Sequence, residues 1–437
     1  MSGAEPKDPW DALRSLPMGR RVEITDGART WTGTIVPRHE LSGDRILPLK
    51  LESGYNVGIR IGPSFGFRLM EDGPADEGRS AGTSDRPSSP VGGAPVALLT
   101  TGGTIASRVD YETGGVRPVK DESGILAFFP DLERDGPVRI VPVFDRLSED
   151  LAPEDWVAIA SKVVEAFGAG ARGVVIAHGT DTLGFTAAAL SFLLVDLPGP
   201  VVVAGAQRSP DRPSSDGATN LGGAVAVGRE RGCGEVVVVM HAGPSDDRLA
   251  IHRATWVRKM HSSRRDAFQS RNGPPLGYVV DGSIRWEQPV RPPAAGPARL
   301  DGPLDARAGL LWFYPGLTAD RAEAFSRGLR GIVLAGTGLG HVGSNHLTWI
   351  RSATARGMVV AMTTQCLAGN ADPYVYATGR ELLRSGVLYL GDLLPETAYA
   401  KLCWALGHAA DPKRVEELLR TDRAGEFHDR HAPEAAP

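Results

Sequence analysis

Short apolar runs, each followed by a loop of glycine, threonine, serine or histidine, recur through the middle of the chain. They are Val96–Leu99, Gly173–Ala177, Pro200–Ala204, Glu235–Met240, Ile332–Ala335 and Met358–Met362. Continuous rather than alternating apolarity describes strands buried on both faces. Segments with helical spacing stand between several of them, best developed at Asp155–Phe167 and Thr186–Leu194. Buried strands alternating with helices predict a parallel sheet covered on both sides. In such sheets ligands bind beyond the carboxyl ends of the strands, where the polar loops of this chain lie.

The pattern is different at the N-terminus. RRVEITD, RTWTGTIVP, RILPLKLES and YNVGIRI are short, rich in β-branched and aromatic residues, and separated by turn formers. So many short strands within residues 15–70 predict a small β-barrel. The stretch from Glu71 to Gly93 is rich in Gly, Pro, Ser and Asp and almost empty of large apolar residues, the composition of a flexible linker. A second break, RPPAAGPARLD, falls at Arg291–Asp301. The predicted fold class is therefore α/β, with a large parallel-sheet domain over 94–292 and a smaller C-terminal α/β domain over 303–410. A β-barrel module within 1–70 and the linker at 71–93 precede them. A charged tail, 411–437, should form a surface helix with a frayed end.

Composition narrows the function. The 437 residues carry 48 basic and 52 acidic side chains, a net charge of -4. That balance gives no general attraction to nucleic acid or to an anionic membrane. The three cysteines, Cys233, Cys366 and Cys403, are far apart, which argues against a disulfide framework or a cysteine zinc site and fits a reducing compartment. The polar N-terminus lacks an apolar signal core, and no apolar run approaches the roughly 20 residues that cross a bilayer. A cytoplasmic protein with no membrane association is expected.

Two loops could carry chemistry. Thr100-Thr101-Gly102-Gly103-Thr104-Ile105-Ala106 follows the strand Val96–Leu99. Its glycines allow a sharp turn with exposed N–H groups, and Thr104 stands at the exit, so a hydroxyl nucleophile beside an oxyanion site is one reading. A strand-to-helix turn with a threonine cap is the other. His178-Gly179-Thr180-Asp181-Thr182, after Gly173–Ala177, offers a second hydroxyl with an adjacent carboxylate, or again a helix cap supplied by Asp181 or Thr182. A threonine hydroxyl needs a base. Lys259, in the basic stretch Arg258–Asp266, is a candidate, although such runs usually form solvated faces. His341 and His346 do not have the spacing of a helical zinc pair, and no Walker-type phosphate loop or Gly-x-Ser-x-Gly elbow is present.

Taken together, TTGGTIAS and HGTDTLGFTAAALSF resemble the two signatures of the bacterial-type asparaginase/glutaminase family, in order and each after a strand. The match is closer to the branch that forms the D-type subunits of archaeal-type tRNA-dependent amidotransferases. ASRVDYETGGV, GAQRSPDRPSSDGATNL, VRKMHSSRRDAF, GTGLGHV and YATGRELLRSGV carry that likeness, as does the front module with GTIVPRHELSGD and LKLESGYNVGI. The resemblance covers about residues 15–408, and plain asparaginases lack the front module.

The resemblance implies an asparaginase-like α/β fold and a glutaminase that supplies ammonia for converting Glu-tRNA(Gln) to Gln-tRNA(Gln). The substrate amide would be that of glutamine or asparagine. By position it implies catalytic roles for Thr104, Thr180, Asp181 and Lys259, with Tyr111 orienting the nucleophile. Ser148 and Glu149, with the loop glycines Gly103 and Gly179, would bind the substrate. It also implies a homodimer and a tRNA-binding partner of the E type, through which most tRNA contact runs. Hydrolysis itself would need no metal or cofactor, whereas the partner's activation step would use ATP and Mg²⁺. Two departures stand out: Cys366–Pro373 replaces a Gly-Arg-Val-Asn-type run, and Trp256 stands where a basic residue is usual. A free-standing asparaginase or glutaminase that carries a barrel, or a binding protein that keeps only the fold, are the alternatives.

Overall fold

The structure is a computed structural model that describes residues 9–17, 19–27, 29–35, 45–51, 56–62, 65–70, 93–102, 107–109, 116–118, 129, 132–208 and 215–428. Helix α1 (Pro9–Arg14) is followed by strands β1 (Arg21–Asp26), β2 (Arg29–Ile35), β3 (Ile46–Leu51), β4 (Asn56–Arg60) and β5 (Phe65–Leu69). They form an antiparallel sheet in the order β4-β3-β2-β1-β5, in which the last strand returns to pair with the first. Val22, Ile24, Leu49 and Ile61 make its core, and Trp10 and Leu13 of α1 join them. Four of these strands were legible from sequence. The fifth, FGFRL, has only partial alternation.

The large domain runs β6 (Val96–Thr100), the hairpin β7 (Ser107–Val109) and β8 (Val116–Pro118), β9 (Val138–Pro142), α2 (Pro153–Gly168), β10 (Gly173–Ala177) and α3 (Leu183–Leu193). It continues with β11 (Leu194–Val195), β12 (Val201–Ala204), α4 (Gly217–Gly228), β13 (Val236–His241) and β14 (Arg248–Arg253). The hairpin β15 (Val257–Lys259) and β16 (Phe268–Ser270), then β17 (Gly277–Val280), β18 (Ser283–Trp286) and β19 (Arg299–Leu300) complete it. Eight strands form one sheet, in the order β18-β17-β14-β13-β12-β10-β6-β9.

Strands β9, β6, β10, β12 and β13 are parallel, and the four inner ones are the unbroken apolar runs, whereas β9 (VRIVP) lies at the edge. Strands β14, β17 and β18 extend the sheet antiparallel. This antiparallel flank was not anticipated. RLAIHR mixes polar and apolar residues although four of its six positions are buried, and SIRW, at the sheet edge, is mixed because an edge strand is not covered like the centre.

Alternate residues of the parallel strands feed two cores. Leu99, Val174, Ile176, Val203 and Val238 meet α2 and α3 on one face, while Leu98, Val175, Val202 and Val239 meet Leu221, Ala224 and Val225 of α4 on the other. The ends of α2 follow from its sequence. Pro153 opens the helix, and the Asp155 carboxylate accepts from the Ala152 N–H at 2.9 Å.

The smaller domain contains β20 (Ala308–Trp312), α5 (Ala319–Phe325), β21 (Gly331–Gly336), α6 (Leu347–Ala355), β22 (Val359–Thr364), α7 (Ala377–Arg384), β23 (Val387–Tyr389), α8 (Pro395–His408) and α9 (Pro412–Arg420). Its sheet is four-stranded and parallel, in chain order. Helix α8 is apolar nearly all round, because it lies between the domains. Leu402, Trp404 and Leu406 share one core with Phe192 and Leu193 of α3 and with Val333 and Ala361 of the small sheet.

Within the stretch expected as a surface helix with a frayed end, α9 is followed by residues 421–428, which fold back and are fixed, while 429–437 lie outside the described residues. Glu426 is buried and accepts from the N–H groups of Arg423 and Ala424, and it pairs with the buried Lys401 of α8 at 2.5 Å. Among the described residues no helix is long and apolar enough to cross a membrane.

Candidate active site

Strands β6 and β10 run in register with Thr100 beside Ala177, so the loops that begin at Thr101 and His178 leave the sheet together. Thr101 binds the Ala177 carbonyl through both its N–H (3.2 Å) and its hydroxyl (3.1 Å), which commits that hydroxyl to structure. A third chain segment, after β9, crosses both loops. Its Arg146 N–H donates to the Thr101 carbonyl at 3.2 Å. Gly102 has φ +94°, and a side chain there would meet the Arg146 carbonyl at 2.5 Å. Gly179 is similarly close to Ser148, whose Cβ and Oγ would lie 2.8 and 2.9 Å from an added Cβ. At these two positions only glycine lets three strand ends converge.

The second loop opens α3, with Thr182 at its N-cap. No side chain caps the helix. The Thr182 hydroxyl instead donates 2.6 Å to the Ser148 carbonyl, tying the second loop to the third. Thr180 and Asp181 turn to Lys259, at the end of β15. Its Nζ lies 2.8 Å from Thr180 Oγ1 and 2.7 Å from Asp181 Oδ1. The helix-cap reading of this loop therefore fails on geometry. The Lys259 side chain is only 14% exposed while that of Asp181 is 67% exposed, so the pair sits at a mouth with the lysine inside. The solvated-face reading of Lys259 fails as well. Thr180 is buried. An amine held between a buried hydroxyl and a carboxylate can accept the hydroxyl's proton when neutral, and the carboxylate steadies it when charged. Asp181 also benefits from its place at a helix N-terminus.

His178 completes the floor. Its Nδ1 lies 2.7 Å from the Gly179 carbonyl, which can only accept, so Nδ1 carries the proton in the neutral ring. Full burial pushes its pKa down to about 4, and the ring is neutral near pH 7. The ring braces the loop from beneath. Sequence reading missed the supporting parts Thr182, His178 and Gly102, since their roles depend on which loops cross.

The structure brings together Thr180, Asp181, Lys259, Gly179 and Ser148. Glu149 follows Ser148 in a short 3₁₀ turn, exposed, with Ser148 Oγ 3.4 Å from its carboxylate. Thr104, Gly103 and Tyr111 lie outside the described residues. Among the described residues no group of three or more His, Cys, Asp and Glu side chains could hold a metal ion. His346 is used structurally, bonded to the Leu317 carbonyl and to Trp349.

This arrangement, on a parallel sheet with a smaller α/β domain behind it, defines an amidohydrolase class, and comparison with known proteins gives the same class. Residues 95–291 match the family profile for the asparaginase N-terminal domain, and residues 307–419 match that for the glutaminase/asparaginase C-terminal domain. Among solved structures, the thermostable L-asparaginase of Thermococcus kodakarensis is 35% identical with a TM-score of 0.70. That match covers 77% of this chain and 100% of the other. The probable cytoplasmic L-asparaginase of Campylobacter jejuni is 29% identical with a TM-score of 0.62, over 75% and 99%.

Residues 16–64 match the GatD N-terminal domain profile. The D subunit of glutamyl-tRNA(Gln) amidotransferase from Saccharolobus islandicus is 43% identical over 98% of this chain and 97% of its own length. Its counterpart from Sulfolobus acidocaldarius is 41% identical over 97% and 94%. The chain belongs to the asparaginase/glutaminase family and, within it, to the branch of glutamyl-tRNA(Gln) amidotransferase D subunits.

Proposed function

We propose that the chain hydrolyses the side-chain amide of glutamine and delivers the ammonia to a partner subunit that amidates glutamate on a misacylated tRNA. The contact of Lys259 Nζ with both Thr180 Oγ1 and Asp181 Oδ1 carries the chemical half of this reading. Full-length similarity to amidotransferase D subunits, front module included, supports the biological half.

In the first step the Thr104 hydroxyl attacks the amide carbon. The C–N bond breaks, the hydroxyl proton goes to the departing nitrogen, and ammonia leaves an acyl ester on Thr104. In the second step a water attacks that ester. Thr180, Lys259 and Asp181 accept and relay the water's proton, releasing glutamate and restoring the Thr104 hydroxyl. The sum is glutamine plus water giving glutamate plus ammonia. In this reading Tyr111 orients the nucleophile, Gly103 and Gly179 belong to the substrate-binding set, and Ser148 and Glu149 hold the α-carboxylate and α-amino groups.

Hydrolysis requires no cofactor. ATP and Mg²⁺ serve the partner's activation of the tRNA-linked carboxylate. The near-neutral chain leaves tRNA binding mainly to that partner, and a homodimeric, cytoplasmic protein accords with the reading. The test is ammonia release from glutamine and from asparagine, with and without a tRNA-binding partner subunit and Glu-tRNA. Turnover of glutamine that rises with the complete system supports the proposal. Rapid asparagine turnover by the isolated chain, unaffected by the partner, would replace it with a metabolic asparaginase. Intact hydrolysis in both Thr104→Ala and Thr180→Ala would remove the chemistry altogether.

A further inference from the structure

Lys259 sits on a two-stranded ribbon of three residues per strand, β15 and β16. A ribbon that short does not hold its own shape in water, so outside contacts must set where the amine lies. Val257 and Phe268 plug one face into the core. The ribbon closes where the Arg271 N–H meets the Trp256 carbonyl at 2.8 Å. Immediately beyond stands Asn272, buried and at φ +62°, a left-handed conformation that asparagine tolerates better than most residues.

Both ends of the Asn272 amide reach the smaller domain. Nδ2 donates to the Asp392 carbonyl at 3.0 Å, and Oδ1 accepts from the Gly369 N–H at 2.8 Å. One partner can only accept and the other only donate, which fixes the orientation of the amide. Three further tethers run the same way, the first from Arg271 Nε to the Leu367 carbonyl at 2.7 Å. The Thr397 hydroxyl donates to the Thr255 carbonyl at 2.8 Å, and Arg258 pairs with Glu396 at 3.1 Å. The ribbon belongs by chain to the large domain and packs into its core, yet the smaller domain also holds it.

We infer that Asn272 is a positioning residue: its amide clamps the β15–β16 ribbon to the smaller domain and so sets Lys259 against Thr180 and Asp181. This rests on the proposed role of Lys259. The loop that supplies Gly369 is the same one in which Cys366–Pro373 departs from the family pattern, so the clamp links that departure to the lysine.

The test uses Asn272→Gly, which keeps the left-handed backbone and removes both tethers. The expected result is a kcat lower by on the order of tenfold, with KM for glutamine within about twofold and a Tm within about 4 °C of the parent. Asn272→Asp keeps the acceptor for Gly369, loses the donor for Asp392, and should fall between the two. A kcat for Asn272→Gly within twofold of the parent overturns the inference. So does a fall in kcat accompanied by an equal rise in KM and a collapse in Tm, the mark of general damage. Lys259→Met, measured alongside, separates the two claims. Full turnover there defeats the reading of the site, whereas lost turnover there with an unaffected Asn272→Gly defeats only the clamp.

Discussion

Lys259 reaches Asp181 across 78 positions of sequence, and the value of the contact lies in what it makes of a threonine. Without the amine, Thr180 is an ordinary hydroxyl at a strand end. Replacing Lys259 by Met or Thr180 by Ala should lower kcat by about 10²–10⁴-fold, the usual range for removing a positioned proton-transfer group, with a far smaller change in KM. Steady-state ammonia release checks this.

His178 makes a different prediction at the same scale. Its pKa lies near 4 in the fold and near 6.5 when unfolded, so the unfolded chain binds the extra proton first as pH falls. The folded state is unaffected above pH 6.5 and loses stability between 6.5 and 4. Linkage gives about 2 kcal/mol lost between pH 7 and 5 from this ring alone. Urea midpoints at the two pH values should therefore differ less in His178→Asn than in the parent. His252, buried and lowered to about 3, adds a similar background that both proteins share.

Among the elements, the strands were the most legible, because a strand covered on both faces is written as an uninterrupted apolar run. VALLT, GVVIA and VVVA read directly as β6, β10 and β12. The loops at their ends were legible as chemistry-bearing but ambiguous, since Thr182 satisfies the sequence rule for a helix cap and yet sends its hydroxyl to Ser148. The crossing of the third segment over both loops could not be read locally. It shows in the space denied to a side chain at Gly102 and Gly179 and in the bonds from Arg146 to Thr101 and from Thr182 to Ser148. Gly102→Ala would force a Cβ against the Arg146 backbone at a left-handed φ. It should reduce amide hydrolysis at least about tenfold, since small displacements of reacting groups are costly, while circular dichroism shows the sheet retained.

At the scale of the whole molecule, the front module and the two α/β parts were visible in composition, the expected linker at 71–92 lies outside the described residues, and the union of the two α/β parts was not legible. Helix α8 serves both sheets, and the buried Lys401–Glu426 pair fastens the C-terminal segment onto it. Lys401 also donates to the Leu419 and Thr421 carbonyls at the end of α9, both at 2.8 Å. Removing one member leaves a buried charge alone, so Lys401→Met or Glu426→Leu should each cost about 3–5 kcal/mol, and the double variant less than their sum. Chemical denaturation of the four proteins measures it. The direction of the ammonia, by contrast, is a property of the assembly.

The most direct measurement of the central claim therefore follows the nitrogen. The chain is combined with a tRNA-binding partner subunit, ATP, Mg²⁺, Glu-tRNA(Gln) and glutamine labelled with ¹⁵N in its side-chain amide, and the aminoacyl group is then analysed by mass. The account predicts ¹⁵N in the amide of Gln-tRNA(Gln), abolished by Lys259→Met, with amidation restored by free ammonium. Ammonia released only to solvent, with the tRNA still carrying glutamate in the complete mixture, would contradict it.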